Sequence, residues 1–432
     1  MKIGVLAQYL DTRSDIVEVI QRLALKHEIV VYARQADVEK FTTILSKEII
    51  VSQIPDFTGF SKFFILIWQY LYLLFGQIPD SRYNYYMTEK IKLLNPDLKT
   101  GQRIIQSVLL MLSKITPDLM SYDQYLNGFL LTKNTLKISS CTDVFLCFTE
   151  IYHDWTLAQI LGQNKPVWVY VYSWDHPCKM KTFSKKVKYL VWNDGIKNDL
   201  IDLHNIDPEK IYVWGSTQFA YINAFLAARR KPQYPTPVNS PYIYLGCATG
   251  YEHLATQEVK YCVQIATKLL ELLPQWKLVV RPYPFLKNER VYHTLNYCPN
   301  VILDTSQSDN SLHEKFIMIR DAKAFLHFGT TMGYEASYFD TPAFLIDLTD
   351  IKKDKLLNGF VHQYQNDKYL NQGAGSNVIK SKDELETVLK NISGKKADLY
   401  NNENLQKTMK LQSFDQLSDK LTRLIKHPEN WT

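Results

Sequence analysis

At 432 residues the chain has room for about two to three domains, which excludes a single small domain. Hydrophobic residues at 46% and charged residues at 22%, with 16 Gly and 17 Pro, match a packed globular protein and exclude disorder, collagen and coiled coil as dominant states. A formal net charge of +6 is small for this length; it makes no case for nucleic-acid binding and fits a small polyanionic ligand or an acidic membrane surface equally well.

In chain order, residues 2–7 (KIGVLA) and 28–33 (EIVVYA) read as strands separated by a helix through Ile16, Val19, Ile20 and Leu23. The start is too short an apolar run for a signal peptide and reads as a first core strand. Residues 47–52 (KEIIVS) are a third strand candidate, followed by helical periodicity to about residue 138, which looks like an insertion into the first sheet. Within it, Phe63 to Phe75 is the strongest apolar run, well short of the roughly 20 residues a bilayer span needs. No transmembrane helix is expected. Apolar nearly all round, that run reads as a buried helix, the alternative being an interfacial one beside Lys62, Arg82, Lys90 and Lys92.

Alternation then resumes. Strands are expected at 143–148, 166–172, 188–192 and 210–214, with helices at 155–162 and 194–204, the pattern of a parallel sheet covered on both faces. Residues 229–241 (RRKPQYPTPVNSP) look like an interdomain linker. Beyond it, strands at 242–246, 277–281, 300–303, 323–328 and 342–347 alternate with helices at 253–273, 311–320 and 332–338. From about 382 the chain is helical. None of the six cysteines forms a CxxC pair or lies near His at ligand spacing, so no metal site is read and a reduced cytosolic compartment is the simplest reading.

Chemistry concentrates at strand ends. In HFGTTMGYEASYFDTPAFLID (327–347), a strand ends at Phe328, Gly329 frees the turn, Thr330 and Thr331 offer hydroxyls at a helix start, and Glu335 sits one turn in. Such a turn suits an anion; the structural alternative is a Thr330 N-cap with a first-turn acid. Arg281 ends the strand KLVV, placed for a diphosphate or for an ion pair with a nearby acid. Gly246 to Gly250 (GCATG), with Thr249, would let backbone amides approach a phosphate. Candidate bases at strand ends are Asp154, Asp175 and His176, ahead of Glu150. Asp154 is also a natural N-cap, Asp175 before Pro177 a turn former, and His176 a surface imidazole.

The segment 327–347 resembles the nucleotide-sugar binding region of GT-B-fold glycosyltransferases, through G-T-T-x-x-x-E-A followed by D-x-P and an apolar strand. The resemblance implies that Gly329, Thr330 and Thr331 meet the donor phosphates and Glu335 the ribose. Eight positions before Glu335, where the retaining branch commonly has a second Glu, stands His327, which joins the donor-binding set. YSWDHP (172–177) and the stretch 190–219 resemble glycosyl and polyol-phosphate transferases of bacterial surface-polysaccharide (capsule and lipopolysaccharide) synthesis, with Thr217 where Pro is usual.

The implied architecture is α/β and GT-B-like: two Rossmann-like domains whose parallel sheets face a central cleft. The N-terminal, acceptor-side domain is expected over 1–225 with a helical insertion at about 55–140, and the C-terminal, nucleotide-donor domain over 226–432 with C-terminal helices. The implied activity is metal-independent glycosyl transfer from a nucleotide-sugar co-substrate, with no cofactor, to a glycan or lipid-linked acceptor. No DxD stands near a strand end in the C-terminal half. A cytoplasmic location at the inner membrane face follows from the resemblance and from the missing targeting signals, and membrane contact through Phe63 to Phe75 belongs to the interfacial alternative for that run. The alternatives are a CDP-linked polyol-phosphate transferase and a non-catalytic nucleotide-sugar or glycan binding module.

Overall fold

The computed structural model describes residues 1–427 except 8–9, 55–58, 78–81, 95–96, 131–141, 149–153, 180–182, 229–237, 284–288, 306–310, 364–376, 394–405 and 407–408. Glu150 and most of the expected linker therefore lie outside the described residues. The chain forms two compact units, one of residues 1–85, 104–223 and 410–432, the other of 86–103 and 224–409.

The first unit is built on seven parallel strands: β1 (Lys2–Leu6), β2 (Glu28–Arg34), β3 (Ile50–Ile54), β4 (Val144–Cys147), β5 (Val167–Tyr170), β6 (Lys188–Val191) and β7 (Ile211–Val213). Their order is β3-β2-β1-β4-β5-β6-β7. Every residue of β4 and β5 is buried, as a sheet covered on both faces requires. The helix Ser14–Ala24 turns Ile16, Val19, Ile20 and Leu23 inward at helical spacing.

The second unit carries six parallel strands: β8 (Tyr242–Gly246), β9 (Lys277–Arg281), β10 (Val301–Leu303), β11 (Ala324–His327), β12 (Ala343–Ile346) and β13 (Val378–Ile379), in the order β10-β9-β8-β11-β12-β13. At two residues, β13 is too short to leave a periodic signal in the sequence. Both sheets reverse direction once, between β1 and β4 and between β8 and β11. In open parallel sheets, the carboxyl ends flanking such a switch point are where ligands bind.

Two expectations about organisation change. The helix Phe414–Lys426, expected with the second domain, packs in the first unit. Asp415 pairs with Arg22 at 2.8 Å, the Leu417 carbonyl accepts from Trp214 Nε1 at 2.9 Å, and Phe414 meets Tyr221 edge-on. The insertion is divided too, since 86–103 belong with the second unit. Its first helix, Gly59–Phe75, buries one side only: Tyr72 stacks on Tyr125 and Trp68 Nε1 donates to the Tyr125 carbonyl, whereas Phe63, Leu66 and Ile67 are exposed. Among the described residues no helix is long and apolar enough to cross a membrane, and no group of three His, Cys, Asp or Glu is placed to hold a metal ion.

Candidate functional site

At the switch point of the second unit, strand register alone aligns three of the residues singled out in the sequence. Gly246 ends β8 opposite Arg281 on β9 and opposite His327 on β11. A methyl group on Gly246 would lie 2.8 Å from the Phe325 ring and 3.1 Å from the Thr330 methyl. Glycine is what lets the turn after β11 close against the end of β8. That turn bends at Gly329, whose φ of 97° is open to glycine and costly to other residues.

His327 is almost fully buried at 1% exposure, its ring stacked on Phe325. Nδ1 accepts from the Gly329 amide at 3.1 Å, which puts the ring proton on Nε2. Burial pushes this imidazole down to about 3, so it is neutral at physiological pH. Among the described residues Nε2 has no hydrogen-bond partner. A methyl group on Gly333 would approach Nε2 to 2.5 Å, so the first turn of the helix Met332–Ala336 needs glycine to sit on the ring. Thr330 Oγ1 accepts from the Met332 amide at 3.4 Å, while Thr331 holds the N-cap position without a side-chain cap bond.

Two expected ligand contacts are already engaged within the protein. Glu335 forms a buried ion pair with Lys315 of the helix Ser311–Asp321, at 2.9 and 2.7 Å to its two oxygens. Arg281 pairs with Asp304 at 2.8 Å, and the same carboxylate oxygen accepts from the Tyr244 hydroxyl. Arg281 therefore follows its structural alternative, and a diphosphate would have to share it with Asp304.

The turn after β8 is held from beneath by a residue that the sequence reading missed. Glu258, fully buried on the helix Glu252–Leu272, accepts from the Ala248 amide and the Tyr292 hydroxyl, each at 3.0 Å. Thr249 is buried in the same turn and accepts from the Tyr251 amide at 3.1 Å. Burial pushes the Glu258 carboxyl up to about 8, against the lowering pull of its hydrogen bonds from Ala248, Tyr292 and Thr249. The signal was present: Glu258 interrupts the apolar stripe Leu254, Ala255, Cys262, Ile265. Because its folded value exceeds the ordinary carboxylate value, Glu258 stabilises the fold fully below about pH 4, and that contribution is lost as pH rises through about 8. Thermal melts from pH 5 to 9 should show stability falling with pH, and Glu258→Gln should flatten that fall.

In the first unit, the carboxyl ends of β1, β5 and β7 are tied by a buried network. Arg13 grips Asp15 with two bonds of 2.8 and 2.7 Å and lies 4.8 Å over the Tyr172 ring. Asp15 also accepts from the Thr217 hydroxyl at 2.5 Å, and the Tyr170 hydroxyl accepts from the Thr217 amide at 3.1 Å. Tyr172 in turn packs edge-on against His176, with ring centres 4.4 Å apart. Thr217, where the resembling transferases have Pro, is thus a connecting residue of this network.

Asp175 is buried beside His176, accepting from Ser173 at 2.5 Å and paired with Lys179. Burial alone would raise its carboxyl, but Lys179 and His176 nearby, with the bonds from Lys179 and Ser173, hold it below the usual range. Asp154 has different work. At the start of the helix Asp154–Leu161, its two oxygens accept from Tyr122 at 2.8 Å and Tyr125 at 2.6 Å, all three residues buried. Its carboxylate anchors the helix Tyr122–Phe129 and is not an open base.

No family model matches the sequence, and no curated protein does either. Solved structures do. The Staphylococcus aureus MnaA structure with UDP superposes with a TM-score of 0.54 at 11% identity, covering 100% of this chain and 97% of that one. UDP-GlcNAc 2-epimerase from Neisseria meningitidis, bound to UDP-GlcNAc, gives 0.52 at 11%, covering 99% and 100%. The Methanocaldococcus jannaschii enzyme with UDP-GlcNAc and UDP gives 0.53 at 13%, covering 99% and 100%. The chain has a GT-B-like fold.

Within this GT-B-like fold, the second unit brings together Gly246, Thr249, Arg281, His327, Gly329 and Thr330 around one switch point. Glu335 faces Lys315, and the first unit keeps Asp175 with His176 while Asp154 is committed to two phenols.

Proposed function

We propose that this protein is a glycosyltransferase that moves a sugar from a nucleotide-sugar donor to a glycan or lipid-linked acceptor in the building of a surface polysaccharide. The observation that carries the reading is the pair of glycine-bearing turns, GCATG and FGTT, closing on each other at the switch point of the second unit, with a neutral His327 beneath. Backbone amides and hydroxyls there suit the donor's phosphates, and the buried His327 beneath them shapes the turn by accepting from the Gly329 amide.

In the reaction, the acceptor hydroxyl attacks the anomeric carbon, the bond from that carbon to the phosphate oxygen breaks, and the nucleotide leaves with the electron pair. The hydroxyl proton goes to a base, a role for which the first unit by itself offers His176, with Asp175 kept anionic beside it to stabilise an imidazolium. Arg281 helps to neutralise the departing phosphate when it is released from Asp304.

A thermal-shift panel of UDP, GDP, CDP, TDP and their sugar or glycerol conjugates tests the donor half. One nucleotide family should raise the melting temperature, and Gly246→Val should abolish the rise by filling the space against Phe325 and Thr330. No shift with any nucleotide would overturn the reading. The second reading is epimerisation of a nucleotide sugar, favoured by the neighbours' activity, and the product separates the two: free nucleotide with an acceptor, or an isomeric nucleotide sugar without one.

A further inference from the structure

The helix Thr100–Leu112 carries its apolar stripe on the outside. Ile104, Ile105, Val108, Met111 and Leu112 follow helical spacing and Ile115 continues the same face; all six are exposed, Met111 at 64% and Ile115 at 80%. On the other side only Leu110 and Ser113 are buried. A monomeric protein in water seldom leaves so continuous an apolar face uncovered, and the pattern is that of a helix lying in a membrane interface.

Charge selects the occupant. The helix contains one charged residue, Arg103, and no acid; exposed Lys99 precedes it and exposed Lys114 follows it. Over residues 59–118 there are seven Lys or Arg against four Asp or Glu, the acids nearest to the helix along the chain being Asp97 and Asp118. A second copy docking on this face by a twofold axis would set lysines against the same lysines, which is unfavourable. An anionic lipid surface complements both the apolar stripe and its basic ends.

We propose that the face Ile104–Ile115 is a membrane-docking surface that inserts its apolar stripe into the headgroup boundary of an anionic bilayer. It lies on a different helix from the Phe63–Phe75 run, whose own exposed side, Phe63, Leu66 and Ile67, belongs to the same unit. Docking would bring the chain to the leaflet holding a lipid-linked acceptor. That consequence rests on the transferase reading, whereas the docking itself does not.

The test is co-sedimentation of the full chain with vesicles of phosphatidylcholine alone or mixed with phosphatidylglycerol, without nucleotide or acceptor. Binding to the mixed vesicles is expected, with a loss of about tenfold or more in Ile105→Glu/Met111→Glu and a smaller loss in Lys99→Glu/Lys114→Glu. The single variant Ile115→Glu, beyond the helix end, should also weaken binding. Melting temperature and nucleotide-induced shift should stay at wild-type values in all three, which separates failure of docking from failure of the donor reading. Wild-type chain that stays in the supernatant, equal binding to neutral vesicles, unchanged binding by the double Glu variant, or concentration-dependent dimerisation through this face in place of vesicle binding would each overturn the proposal.

Discussion

Glu335→Ala should lower the unfolding free energy of the second unit by about 3–5 kcal/mol, because it strands the Lys315 ammonium in a buried site. The sequence points to a milder outcome, a ribose-binding carboxylate whose loss spares the fold. In the structure both Glu335 oxygens face Lys315 at 2.9 and 2.7 Å, so the loss of this carboxylate bears on the fold as well. Urea denaturation checks it, and an unchanged midpoint would remove the pair from the stability account. The double variant Glu335→Leu/Lys315→Met should recover most of the loss, because no buried charge is then left unpaired. It also separates two duties of the same residue. Restored stability with lost nucleotide affinity would keep Glu335 as the ribose partner, and restored stability with unchanged affinity would end that assignment.

Asp15→Ala in the first unit should cost about 3 kcal/mol, by leaving the half-buried Arg13 guanidinium without its two-bonded partner and the Thr217 hydroxyl without its acceptor. The pH dependence has a definite sign. Burial would raise the Asp15 carboxyl, but Arg13 and the Thr217 bond bring it below its ordinary value. Its stabilisation is therefore present above the ordinary carboxylate pKa of about 4 and is lost as pH falls through the lower, folded value. Melting curves at pH 5 and pH 2 should show the wild type losing more on acidification than Asp15→Ala. The same loss in both would show that Asp15 contributes nothing to the acid limb. Tyr172 and His176 sit against this network, so the variant should also lower any transfer rate that depends on His176.

The alternation of apolar runs and helical periods was enough to locate twelve of the strands, because a strand buried on both faces must be apolar along its whole length. The glycine-bearing turns were legible for a similar reason: Gly246, Gly329 and the residues after them stand directly at strand ends. The partners were not. Nothing near Glu335 announces Lys315, twenty positions earlier on another helix, and nothing near Asp154 announces Tyr122 and Tyr125. Glu258 was visible only as an acid on an apolar stripe, a signal without meaning until the turn after β8 is seen to hang from it.

Local pattern thus determined the two parallel α/β sheets and the strand ends at which chemistry could stand, since periodicity and glycine placement act over a few residues. The tertiary structure decided which of those groups are already engaged: Arg281 with Asp304, Glu335 with Lys315 and Asp154 with its phenols. It also decided that the last helix joins the first unit and that the stripe from Ile104 to Ile115 faces outward. Ion pairing, hydrogen bonding and burial depend on what distant segments bring to the same place, and that is set by the packing of whole sheets and helices, beyond the reach of any short stretch of sequence.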